Sequence, residues 1–317
     1  MNLTTFYSLC LQGDITSAIE LLEATSPKTP EEDTLLEKYK KRFYGEEMIG
    51  IEISDPWIRD AIHIYHNYFH DVLMKKLHEY KAEEELAKRL SSFLEESFSS
   101  AEDAEIALKK EFEVRGYYFL GGVTPPYRGP YIWKTQEKLT YDVVLPNETQ
   151  TITVYHMKDF LMESWLSYVT LEHKGAGGWA NESGVFCNYD RYKDDLESNQ
   201  YVISFLKHEA QHFNDYLHYP ILESKDLEYR AKLVELIYYD NHEVLEKFLI
   251  QAKDDPQFPH PKAAYEVIKG LSRKVHQQNY NNHMEEWKAI DYNIISSYAL
   301  ELHQENTMLL NEQKTSF

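Results

Sequence analysis

His208 and His212 stand four residues apart with Glu209 directly after the first of them. On a helix this spacing puts both imidazoles on one face, where they can grip a single zinc ion, and the intervening glutamate can activate a water beside it. With 14 His and 53 acidic residues in 317, chance would yield the pattern about 0.1 times, even if every acidic residue were Glu. The competing reading is an accidental match on a buried helix, with Glu209 paired to Lys207 or Arg230.

A zinc site that does chemistry takes three protein ligands and keeps one position open, so a third donor must follow. Two residues compete for the role. Glu228 lies where Ser224 could cap a second helix, and a short loop around Pro220 would bring that helix back against the first. His218 lies six residues past His212, the spacing of a three-histidine site, although that pattern has Gly where this chain has Asp215. Asp215 shares the imidazole face, three residues after His212, and is a candidate to accept an imidazole N–H from outside the ligand set.

These residues resemble the zincin metallopeptidases, and more closely the gluzincin branch, in which two motif histidines and a glutamate from the following helix bind zinc. The resemblance covers roughly residues 175–240 and rests on His208, Glu209, His212 and Glu228. It implies His208, His212 and Glu228 as ligands and Glu209 as the base that polarises water and carries a proton to the leaving amine. It also implies that a strand holding Trp179 and Ala180 presents an edge to an extended peptide. Tyr216, His218, Tyr219, Tyr229 and Arg230 are the nearby donors for a developing oxyanion.

The elements that must hold these groups are legible in outline. Residues 1–115 carry few Gly or Pro, and Ile58, Ala61, Ile62, Tyr65, Phe69, Val72 and Leu73 recur at helical spacing, which predicts a helical domain. From Gly116 the texture changes to short β-prone runs. They are separated by Gly121-Gly122, Pro125-Pro126, Gly129-Pro130 and Pro146-Asn147, which predicts a small, mostly antiparallel sheet over 116–190. Within it, 158–169 reads as a helix and 179–189 as one strand. Metal-site helices follow at 198–240, with Ser198 as N-cap, and C-terminal helices at 241–317. The expectation is an α+β protein with a helical domain at 1–115 and a zincin-like catalytic domain at 116–317, the active site in the cleft between them.

The formal charge of -20 argues against nucleic acid or an anionic membrane as partner, because both need clustered Lys and Arg. Cys10 and Cys187 are too few for a disulfide framework and read as free buried thiols. The apolar stretch from Phe6 to Leu11 lacks the basic start of a secretory signal, and no run approaches the roughly 18 apolar residues of a membrane span. A cytoplasmic protein is the expectation, and nothing signals an oligomeric state. His63, His66 and His70 share a helix face, which reads as a solvated polar face, a cleft lining or a second metal site. The reading reached is a zinc-dependent hydrolase of peptide or protein substrates. Its alternative is a zincin-like scaffold that hydrolyses something else or binds a partner.

Overall fold

The N-terminal helices are α1 (Leu3–Leu11), α2 (Ile15–Ala24), α3 (Pro30–Tyr44), α4 (Pro56–Leu73), α5 (Glu79–Leu94) and α6 (Ala101–Val114), and side-chain caps start α2, α3, α4 and α6. Thr29 and Glu32 form a reciprocal cap around Pro30, and Asp55 accepts from the Trp57 and Ile58 amides at the start of α4. The whole apolar stripe from Ile58 to Leu73 is buried. This computed structural model describes residues 3–45, 53–256 and 258–315.

After Gly116, whose φ of 77° only glycine adopts freely, come β1 (Tyr118–Leu120), β2 (Val123–Thr124), β3 (Tyr127–Arg128), β4 (Tyr131–Val144) and β5 (Thr149–Glu163). The breaks fall at the expected Gly and Pro pairs. Residues 158–163 are strand rather than helix, and only α7 (Ser164–Val169) is helical in that stretch. Pairing with β4 overrides the local spacing of Phe160, Leu161 and Trp165, as sheet context commonly overrides propensity.

The chain forms two compact units, one of Met1–Gln136 with Met157–Ala176 and one of Glu137–His156 with Gly177–Phe317. The boundary expected near residue 115 therefore moves. Phe119, Tyr127, Ile132, Met162 and Trp165 share a core with the N-terminal helices, so the chain around them belongs to the first unit. In that unit His66 packs its ring 4.8 Å from Tyr168, and His70 Nε2 lies 3.1 Å from the Phe43 carbonyl. The three-histidine face is thus packed against protein rather than solvated. It forms no metal-type cluster among the described residues.

In the second unit, β6 (Gly178–Asn181) and β7 (Gly184–Asn188) make an antiparallel hairpin where the sequence suggested one strand. Gly184 explains the break: its φ is 141°, and a Cβ there would stand 2.5 Å from the Thr153 carbonyl oxygen. The main sheet runs β1-β4-β5-β7-β6, which leaves β6 at an edge. Ser198 then caps α8 (Asn199–Tyr201), which continues through a π-helical stretch, Val202–Lys207, into α9 (His208–His218).

The remaining helices are α10 (Ser224–Tyr238), α11 (Glu243–Gln251), α12 (Pro259–Val275), α13 (Met284–Lys288) and α14 (Tyr292–Thr315). Ser224 is the first residue of α10, and Glu223 occupies the cap position instead. Phe205, Leu206 and Ala210 pack on Val154, Val185 and Cys187, while α10 packs against α9, α12 and α14. The fold is mixed α and β with helix predominating. Both cysteines are free and buried, and no helix among the described residues is long and apolar enough to cross a membrane.

One buried residue of α14 sets an acid limit. Both ring nitrogens of His303 lack a hydrogen-bond partner, and burial, with the Arg230 charge, lowers its pKa to about 3. Between pH 3 and the ordinary value of about 6.5, the unfolded chain binds a proton that the folded chain refuses, so stability falls as pH drops through that window. His303→Leu should therefore raise stability by about 1–3 kcal/mol, with the larger gain at pH 5 than at pH 8. Urea unfolding at the two pH values measures this, and an equal gain at both would contradict the account.

Candidate metal centre

The two histidines of α9 face each other edge to face, with Nε2 atoms 3.1 Å apart and ring planes at 87°. Glu228, in the second turn of α10, brings Oε1 to 3.3 Å from His212 Nε2 and Oε2 to 3.7 Å from His208 Nε2. Donors bound tetrahedrally to zinc at about 2.0–2.1 Å would lie about 3.3 Å from one another. All three side chains are buried, and their ligand atoms lie within 4.8 Å of one another. This is the one such group among the described residues.

Burying three such groups without another charge is costly, and the protonation of His208 and Glu228 shows the strain. Burial alone would lower the His208 pKa, yet the carboxylates of Glu228 and Glu235 outweigh it and raise the value to about 10. Burial would likewise raise Glu228, but His208, His212 and His260 hold it well below the ordinary carboxylate range. Glu228 Oε2 and His212 Nδ1 are buried and take part in no directed hydrogen bond. Two imidazole nitrogens and a carboxylate that converge at these separations suit a divalent cation, which competes with the proton for the same atoms.

Two outer contacts were not read from the sequence. Glu235, seven residues past Glu228 and therefore on the same face of α10, lies 2.8 Å from His208 Nδ1. That contact fixes which imidazole nitrogen faces the ligand cluster. The i+7 spacing was a usable signal for it. His260, in the first turn of α12, places Nδ1 2.7 Å from Glu228 Oε2, and no periodicity links it to the motif.

Asp215 does not take the role expected of it. It is fully buried and accepts from Arg230 Nε through both oxygens at 2.9 Å and from Gln211 Nε2 at 2.8 Å, so neither histidine reaches it. A guanidinium that brings a full charge, with Gln211 as a second donor, satisfies a buried carboxylate better than a single imidazole N–H does. His218 is not brought to the cluster either: it is exposed at the end of α9, with Nε2 3.2 Å from Glu148 Oε1.

Glu209 is half-buried, and its charge, after burial itself, helps to raise the pKa values of Cys187, Tyr192 and Tyr216. Among the oxyanion candidates, Tyr216 alone feels both Glu209 and Glu228. Tyr219 donates to Asn311, Arg230 is committed to Asp215, and Tyr229 packs in the helical core. Trp179 and Ala180 lie half-buried on β6, the edge strand that packs against α9. Trp179 stacks on Phe186 at 5.7 Å. No protein-family model, curated protein or solved structure matches this chain.

The Asp215–Arg230 pair carries a stability prediction. Arg230→Met leaves a charged carboxylate buried without its counterion and should cost about 3–5 kcal/mol, most of it recovered when Asp215 is also replaced by Leu. Denaturant unfolding of both variants measures this. A single-variant cost below about 1 kcal/mol would mean that the pair does not anchor α9 to α10.

Proposed function

We propose that this chain is a zinc-dependent hydrolase of peptide bonds, with His208, His212 and Glu228 as the metal ligands and Glu209 as the general base. The convergence of two Nε2 atoms 3.1 Å apart on the Glu228 carboxylate, whose Oε1 lies 3.3 Å from His212 and whose Oε2 lies 3.7 Å from His208, carries the reading. When bound, the ion would supply Lewis acidity to the substrate carbonyl and lower the pKa of a water. The ligand scheme is that of the gluzincin type.

The protein's own groups account for the rest. Glu209, adjacent to one ligand and half-buried, takes a proton from the attacking water on its carboxylate and returns it to the leaving amine. Tyr216 offers a hydroxyl to the developing oxyanion, and its high pKa keeps it protonated as a donor. The edge strand β6, with Trp179 and Ala180, offers main-chain hydrogen bonds to an extended substrate. This arrangement favours a peptide over a compact small molecule.

Purified protein should hold about one zinc per chain by elemental analysis. Glu209→Gln should retain that zinc while hydrolysis of a peptide library falls about 10²–10⁴-fold. Protein that carries no metal and keeps its melting temperature in chelator would sink the proposal. Zinc-loaded protein that cleaves no peptide would favour a binding role for the same scaffold.

A further inference from the structure

We infer that His260 is a positioning residue for the metal-binding carboxylate: it engages Oε2 of Glu228 and so leaves Oε1 as the single donor atom. The inference rests on the metal reading above and goes beyond it by assigning a side chain outside the ligand cluster to the control of one ligand's binding mode.

Glu228 presents two different oxygens. Oε1 is the one nearer His212, at 3.3 Å, while Oε2 has His260 Nδ1 at 2.7 Å and His208 Nε2 at 3.7 Å. Oε2 is buried and has no directed hydrogen bond, so the His260 contact is the close polar approach made to it from outside the metal cluster. The His260 side chain is 63% exposed, so it contributes little to the core. A short turn of that ring converts the close approach into a directed N–H···O bond.

The sequence builds this residue into a stiff setting. Pro259 and Pro261 flank it in the first turn of α12, where the missing amide hydrogens have no helical partner to lose and φ is already near helical values. Packing of α12 on α10 then brings the imidazole to the carboxylate. A carboxylate held on one oxygen binds a metal through the other, which keeps the coordination number low and leaves room for water and substrate. Without His260, both oxygens of Glu228 become available to the ion.

The test compares wild type with His260→Ala, His260→Asn and His218→Ala, using zinc affinity from chelator competition and the visible spectrum of the cobalt-substituted proteins. His260→Ala should weaken zinc binding about 10–100-fold and reduce cobalt absorption as the site gains a donor atom. Asn carries an amide N–H where Nδ1 stands, so His260→Asn should recover part of both. His218→Ala, whose histidine is outside the cluster, should match wild type.

Wild-type affinity and spectrum in His260→Ala would overturn the inference while leaving the metal site standing. So would an affinity loss matched by lower stability of the metal-free variant. Wild-type protein that binds neither ion would overturn both readings together.

Discussion

The site depends on the register between α9 and α10, and one buried ion pair sets it. Asp215 stands three residues past His212 on one helix, and Arg230 stands two residues past Glu228 on the other. Their contact, one Arg230 Nε shared between both carboxylate oxygens at 2.9 Å, ties the helices together close to the ligands. A slip of one helical turn would displace Glu228 by about 5.4 Å, far more than the spread of the donor separations. Asn306 and Thr307 of α14 hold the other end of the guanidinium, so a third helix shares the constraint. Pair and ligands are all in the second unit.

Charge explains why this register is worth fixing. Asp215 on α9 and Glu228 and Glu235 on α10 are all buried, in a chain that already carries a formal -20. Arg230 answers Asp215, while the histidines answer the two glutamates, and His208 holds a proton to do so. A polar cluster of this kind stabilises only when it is fully satisfied, and here Glu228 Oε2 and His212 Nδ1 have no directed hydrogen bond.

What the sequence made legible was local. The His208–His212 spacing, the stop at Pro220, the Ser198 cap and the turn signals from Gly121 to Asn147 each depend on a few neighbouring residues, and each has its counterpart in the structure. Glu228 was reachable because its helix follows after a short loop. The partner of Asp215 was not, since an imidazole and a guanidinium on neighbouring elements look equally suitable until packing selects one. His260 lies 32 residues beyond Glu228, and only the docking of α12 on α10 brings them together. The strand at 158–163 was hidden for the same reason, its partner β4 outweighing its own pattern. Nothing local announces the π-helical stretch at Val202–Lys207, a deviation that recurs beside functional sites.

The interleaving of the two units along the chain bears on how the protein is made. During synthesis the six N-terminal helices emerge first, yet Trp165, Tyr168 and Val169 belong to their core and arrive only with α7. Residues 137–156, which belong to the other unit, leave the ribosome before that core can close. The nascent helices must therefore wait with apolar surface uncovered, at a chain length where such surface invites chaperones or aggregation. A fragment cut at residue 115 or 136 would remain in that condition permanently, so the first unit is not a module that one cut can release.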